Sequence, residues 1–139
     1  MDELPIVPDA ELEFDSDLIF TYQGRPFSGV AYEESQTLGR SEVSYCEGVQ
    51  EGLARDWYPS GILKAETRFA RNDRHGRYSE YDESGNLVEE GLCEYGILVR
   101  RTRFDSDGNA VSSFAIDHTT DLGGMLDRLR REDGRRDEG

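Results

Sequence analysis

The chain has 139 residues, 35% of them apolar, so it is expected to build one thin, highly exposed domain rather than a thick core. Thirty acidic against 16 basic residues give a formal charge of −14, a field that repels nucleic acid and anionic lipid and attracts basic protein surfaces. Stretches of about 18 apolar residues, the length a membrane helix needs, do not occur.

The charge is uneven. Residues 1–60 hold 13 acids and 3 bases, so a basic partner is expected to be drawn to the N-terminal half. Met1-Asp2-Glu3-Leu4-Pro5 is acidic where a secretory leader is basic and then apolar, which makes the cytoplasm the expected location. Near the N-terminus, Leu12, Phe14, Leu18 and Phe20 lie among Glu11, Glu13, Asp15 and Asp17, and residues 1–19 form an acidic opening segment. One or two acidic strands opening a sheet are expected there, with a free edge on which a second copy would pair, giving a monomer or a weak homodimer.

From residue 20 to residue 117 the sequence repeats with a period of 24. Gly52 and Gly76, Trp57 and Tyr81, Gly61 and Gly85, Leu63 and Leu87, and Glu66 and Glu90 are each one period apart. A degenerate copy precedes them, in which Gly24 lies 24 before Gly48, Glu42 lies 24 before Glu66, and Thr37 stands where the other copies have a turn glycine. A third step, shortened to 23, leads from Tyr81 and Gly85 to Phe104 and Gly108. Pro59-Ser60-Gly61, Glu83-Ser84-Gly85 and Ser106-Asp107-Gly108 are tight-turn clusters between segments rich in aromatic and β-branched residues. Glycine pairs such as Gly48 and Gly52 are expected to make the return turn.

The fold these features predict is mainly β, a single-layer antiparallel array of hairpins with units at about 20–44, 45–68, 69–92 and 93–117. Leu122, Met125, Leu126 and Leu129 follow helical spacing behind Thr119-Thr120-Asp121, predicting a helix over 118–132 that caps the edge of the last hairpin. Residues 133–139 are expected to be a disordered tail.

Motifs for catalysis are missing. Asp105-Ser-Asp107-Gly108-Asn109 has its glycine one position early for a calcium loop and Ile116 where the last carboxylate belongs, which favours a turn. Cys46, Cys93, His75 and His118 are isolated, without metal-ligand or redox spacing. The expectation is a protein that is not an enzyme and has no catalytic residue, no metal and no cofactor. Contact residues are instead sought on the sheet. Glu42, Glu66 and Glu90 recur on one face, with Asp56 and Glu80 beside them. Tyr58 and Tyr78 have the parity opposite to Trp57 and Tyr81, which are expected in the core, and are expected to be exposed anchors.

The Gly-x-x-x-Gly spacing, the aromatic pair Trp57-Tyr58, the Ser-Gly turn and the following Leu and Glu resemble the MORN-repeat variant family of bacterial proteins over roughly residues 20–112. Members of that family are commonly antitoxins or immunity proteins. The resemblance implies direct binding to a cognate, basic protein toxin through the acidic sheet; nucleic acid and membrane are not expected partners. The alternative it leaves open is a generic scaffold or adaptor without a toxin.

Overall fold

The structure is a computed structural model that describes the backbone of residues 4–138 and the side chains of residues 4–134. Nine strands form one sheet in the order β1 (Ile6–Pro8), β5 (Gly29–Ser35), β6 (Gly39–Cys46), β7 (Val49–Trp57), β8 (Leu63–Ala70), β9 (Asp73–Tyr81), β10 (Leu87–Glu94), β11 (Ile97–Phe104), β12 (Ala110–Ala115). Every neighbour from β5 onward is antiparallel and consecutive in the chain; β1 alone is parallel, paired with β5. A smaller sheet joins β2 (Glu13–Phe14), β3 (Phe20–Tyr22) and β4 (Arg25–Pro26). One helix, α1 (Asp121–Glu138), ends the chain. The mainly-β hairpin array with a C-terminal helix is therefore the fold, and none of its described helices is long and apolar enough to cross a membrane.

Two kinds of turn alternate, each imposed by its residues. The return turns at Gln23-Gly24, Glu47-Gly48, Arg71-Asn72 and Tyr95-Gly96 have both central residues at positive φ, the two-residue turn whose twist matches a β-ribbon. They fall 24 residues apart, and Asn72, which tolerates the left-handed region, fills the glycine position of the third. The expected second glycine of each pair is not in the turn. Gly52 lies inside β7 and Gly76 inside β9, both at positive φ, where the register with the neighbouring strand skips residues. They are bulge glycines that bend the strands.

The last three of these return turns are each fastened to the unit before. Backbone N–H groups of Gly48, Asn72 and Gly96 donate to the carbonyls of Phe27, Gln50 and Arg74 at 2.8–3.0 Å. The preceding N–H of Glu47, Arg71 and Tyr95 donates to Ser28 Oγ, Glu51 Oε2 and His75 Nδ1 at 2.8, 2.7 and 3.0 Å.

At the other end of the hairpins, tight turns span Tyr58 to Ile62, Asp82 to Asn86 and Asp105 to Asn109, with glycine in the left-handed position. The carboxylates of Asp82 and Asp105 accept two backbone N–H bonds each within these turns, which holds Asp82 below the usual carboxylate range. An identical turn runs from Asp15 to Ile19: Asp15 Oδ1 caps Asp17 and Ile19, and Leu18 takes the glycine's position at φ 64°. The acidic opening segment is thus a further, disguised hairpin, Phe14-Asp-Ser-Asp-Leu18 matching Phe104-Asp-Ser-Asp-Gly108. In the first full hairpin the turn glycine has moved to Gly39, where Thr37 left the glycine position empty.

The core sits at the N-terminal end. The small sheet folds over the large one there, burying Val7, Phe27, Ala31 and Tyr45 with Leu12, Phe20, Tyr22 and Val43 packed around them. Phe14, Phe20, Tyr45, Phe27 and Tyr22 form a chain of rings 4.5–5.8 Å apart. The array is consequently two-layered at this end, and residues 20–26 leave the first hairpin for the small sheet. The observed hairpins, 29–46, 49–70, 73–94 and 97–115, lie a few residues downstream of the expected unit boundaries because the return turns centre on residues 48, 72 and 96.

β1, which follows Pro5 and ends on Pro8, is the N-terminal edge strand of the large sheet and pairs with Val30–Tyr32 of β5. Two expectations for the other end are corrected. All six residues of β12 are exposed, so α1 leaves the last edge open. The helix instead turns back to the last return turn: Arg130 makes two bonds to Glu94 at 2.8 and 2.6 Å, and Tyr95 donates to Asp133 at 2.8 Å. Those bonds and the fully buried Leu126 carry the helix past residue 132 to Glu138, where a disordered tail was expected; Gly139 lies outside the described residues.

Leu18 is exposed and held in a left-handed conformation that a Cβ makes costly. Leu18→Gly is expected to raise stability by about 0.5–1 kcal/mol, read as a higher urea midpoint at unchanged slope.

Candidate functional site

In the observed register the seven candidate contact residues fall on different surfaces. Glu42, Arg55, Glu66, Ser79, Glu90 and Thr102 pair across successive strands and form one row on one face. Glu42, Glu66 and Glu90 do share a face, but basic or neutral residues separate them. Arg40 bonds Glu42 at 2.8 Å and Arg55 bonds Glu66 at 2.7 Å, so two of the three carboxylates are already neutralised. Glu90 is exposed and makes no ion pair among the described residues.

Asp56 and Glu80 sit one residue along their strands from that row and therefore point to the other face. There Ser41 donates to Asp56. Tyr58 leaves the sheet at a tight turn, where its hydroxyl donates to the Tyr81 carbonyl at 2.8 Å and Lys64 stands over its ring. It is half-buried and joins two neighbouring turns. Trp57 and Tyr81, expected in the core, are also half-buried, since nothing but a single sheet lies beneath them.

Tyr78, expected to be an exposed anchor, is 6% exposed. Its ring lies against Gly91 on β10, where an added Cβ would come within 2.6 Å of Tyr78 Cε1, and Arg74 covers it at 4.9 Å. Strand parity misled here because the glycine opposite makes a slot that a flat ring fills. The Tyr78 hydroxyl donates to Glu89 at 2.8 Å and Arg103 bonds the same carboxylate at 2.8 Å. Burial, then the Glu89 bond, pushes the Tyr78 phenol well above its usual range. Burial alone would raise Glu89, but the bonds from Arg103 and Tyr78 outweigh it and hold the carboxyl below the usual range. Tyr78, Glu89 and Arg103 thus form one hydrogen-bonded cluster.

The densest run of exposed, unpaired acid lies on the N-terminal unit. Asp9, Glu11, Glu13, Asp15 and Asp17 are all exposed on the N-terminal unit and none is in an ion pair among the described residues. Among them Phe14 and Leu18 are 54% and 60% exposed, and no basic residue occurs before Arg25. Acidic side chains around solvent-facing apolar ones have the composition of a contact patch for a basic protein. Its signal in the sequence was the run of seven carboxylates without a base in residues 1–19.

The described residues contain no group of three or more His, Cys, Asp or Glu placed to hold a metal ion. His75 uses Nδ1 to cap Tyr95 and stacks edge-on with its ring at 4.7 Å. Both cysteines are free; burial raises the Cys93 thiol, while Cys46 is exposed.

Residues 50–70 and 74–92 match the model of the MORN repeat variant family. They correspond to β7–β8 and β9–β10, so the two central hairpins are similar to the repeats of that family. No curated protein sequence matches the chain. Among solved structures, the crystal structure of accessory secretory protein 1, 2 and 3 in Streptococcus pneumoniae is similar at 12% identity with a TM-score of 0.39, covering 84% of this chain. The chain spans 20% of the length of that protein.

Tyr78→Phe is expected to cost about 1.5 kcal/mol at neutral pH by removing a donor from a charged, largely buried acceptor. Because Glu89 is depressed when folded, the stabilisation it draws from its donors is present above the usual carboxylate range and disappears as pH falls through its lowered value. Urea unfolding of both proteins at pH 7 and near pH 2 checks this: the difference shrinks in acid. Gly91→Ala is expected to cost about 2 kcal/mol at either pH, since its Cβ collides with the Tyr78 ring and the Arg100 carbonyl.

Proposed function

We propose that this protein is a cytoplasmic binding protein, not an enzyme, that neutralises a basic protein partner by direct contact through its acidic N-terminal unit. The observation that carries this reading is the patch of Asp9, Glu11, Glu13, Asp15 and Asp17 around the exposed Phe14 and Leu18. It is held rigidly by the Asp15 turn and by the ring stack from Phe14 through Phe20 to Tyr45. A preformed surface loses little entropy on binding, and its field speeds encounter with a cationic partner. The stacked hairpins, two of which match the MORN repeat variant family, supply the stiff platform.

The partner this reading specifies is a basic toxin, with the chain as its immunity protein or antitoxin. The family resemblance motivates it and the charge complementarity supports it. A basic toxin acting on nucleic acid would present a cationic cleft, which carboxylates around two apolar side chains can fill.

The test is co-expression with the product of the adjacent open reading frame, paired with calorimetry on the purified proteins. The wild-type chain is expected to restore growth and to bind with an affinity that falls as salt rises. A variant combining Glu11→Lys, Glu13→Lys and Asp17→Lys, which spares the turn-capping Asp15, is expected to bind at least tenfold more weakly while keeping its fold. If the wild-type chain neither binds nor protects, the toxin reading falls. If the triple variant binds as well as the wild type, the contact lies elsewhere.

A further inference from the structure

The two edges of the large sheet are finished differently. The first is closed by β1, three residues long and bounded by Pro5 and Pro8. The last, β12, is six residues of Ala-Val-Ser-Ser-Phe-Ala, every one exposed, with no proline and no charge. Proteins usually blunt such an edge with one or the other.

The hydrogen-bonding state of the edge follows from the register. Ile116 donates to Val99 at 2.8 Å, so it faces β11. By the two-residue alternation of an antiparallel pair, Phe114 and Ser112 also turn their backbone groups to β11, while Ser113 and Ala115 turn theirs outward. Two N–H and two C=O groups are thereby set at the spacing of a strand that would lie beside them.

Charge chooses the occupant. In a chain of net charge −14, β11 carries Arg100, Arg101 and Arg103 next to this edge. Arg103 is taken by Glu89, but Arg100 is exposed without an ion pair among the described residues, and Arg101 has a buried Nε with no acceptor. Arg100 and Arg101, being adjacent in the strand, project from opposite faces. An added strand would lie about 10 Å from β11, within reach of a long arginine meeting a glutamate. A second copy of this chain would bring the same arginines against these.

We propose that the outer edge of β12 takes up an extended, acidic peptide segment of another protein as a tenth, antiparallel strand, with Arg100 and Arg101 meeting carboxylates on its two faces. Backbone bonds at Ser113 and Ala115 hold the peptide, and exposed Val111 and Phe114 give its apolar side chains a neighbour on each face. The site lies at the opposite end of the sheet from the acidic N-terminal unit, so it does not rest on the basic partner proposed there.

The experiment is fluorescence polarisation of a labelled heptapeptide, Thr-Glu-Glu-Val-Val-Glu-Thr, which sets glutamate and valine on both faces of a strand, against the full chain, with the same peptide carrying Lys for Glu as comparator. Saturable binding of the glutamate peptide, at least tenfold tighter than the lysine peptide, is expected, with amide shifts in NMR spectra centred on Ser113 and Ala115. Ser113→Pro removes an outward N–H without touching the ladder to β11 and is expected to weaken binding at least tenfold; circular dichroism verifies its fold. Arg100→Glu, a substitution of an exposed side chain, is expected to do the same for the glutamate peptide and to narrow or reverse the preference. The Glu11→Lys, Glu13→Lys, Asp17→Lys variant is expected to bind the peptide as the wild type does, which separates the two surfaces. No saturation at millimolar protein, equal binding of both peptides, or binding indifferent to Ser113→Pro overturns the proposal. So does a concentration-dependent dimer in sedimentation that Ser113→Pro abolishes, because the edge then belongs to a second copy.

Discussion

The last three return turns of the array each present two backbone N–H groups, and each pair is satisfied by the unit before it. Glu47 and Gly48 donate to Ser28 and Phe27, Arg71 and Asn72 to Glu51 and Gln50, Tyr95 and Gly96 to His75 and Arg74. Each bond contributes about 0.5–1.5 kcal/mol, so a unit without its predecessor loses two of them. That dependence recurs with the 24-residue period. The second bond is made by three chemically different side chains, a hydroxyl, a carboxylate and an imidazole, which shows that the requirement is for an acceptor at that place and not for a particular residue. It also accounts for the absence of a continuous core: the units are joined by turn contacts and the strand ladder, with burial concentrated where the small sheet folds over.

The ends depart from the repeat because each solves a different problem. At the N-terminus the fold-over buries rings that a single layer cannot cover, and the same hairpin carries its carboxylates outward. At the C-terminus α1 fastens to Glu94 and Tyr95, the residues leading into the last return turn, through Arg130 and Asp133. Arg130 holds the Glu94 carboxyl below its usual range, and burial together with Asp133 pushes the Tyr95 phenol up, as expected of a tie formed between charged and polar partners at a partly covered contact. The middle of the sheet is common platform; the two ends carry opposite local charge, acid at β2 and arginine at β11.

Much of this was legible from residue spacing. The glycine, aromatic and leucine positions at a step of 24 state a hairpin array, since only a recurring left-handed residue between β-forming runs gives that rhythm. The helix was legible from Leu122, Met125, Leu126 and Leu129. The first hairpin of the small sheet was harder, because Leu18 occupies the position that glycine marks elsewhere; the turn survives since Asp15 caps it as Asp82 and Asp105 cap theirs. The contact residues were the least legible. Tyr78 has the parity of an outward residue and is buried only because Gly91 lies beside it on the next strand.

The sequence by itself determined the period, the turn chemistry, the antiparallel order of strands and the charge, because each depends on neighbours within a few residues. Tertiary structure decided which carboxylates are free and which edge is open. Arg40 neutralises Glu42, Arg55 neutralises Glu66, β1 closes one side of the sheet and α1 leaves β12 bare. Those outcomes rest on strand register and on which unit folds back over which. A shift of one residue in register would exchange the faces of every side chain concerned.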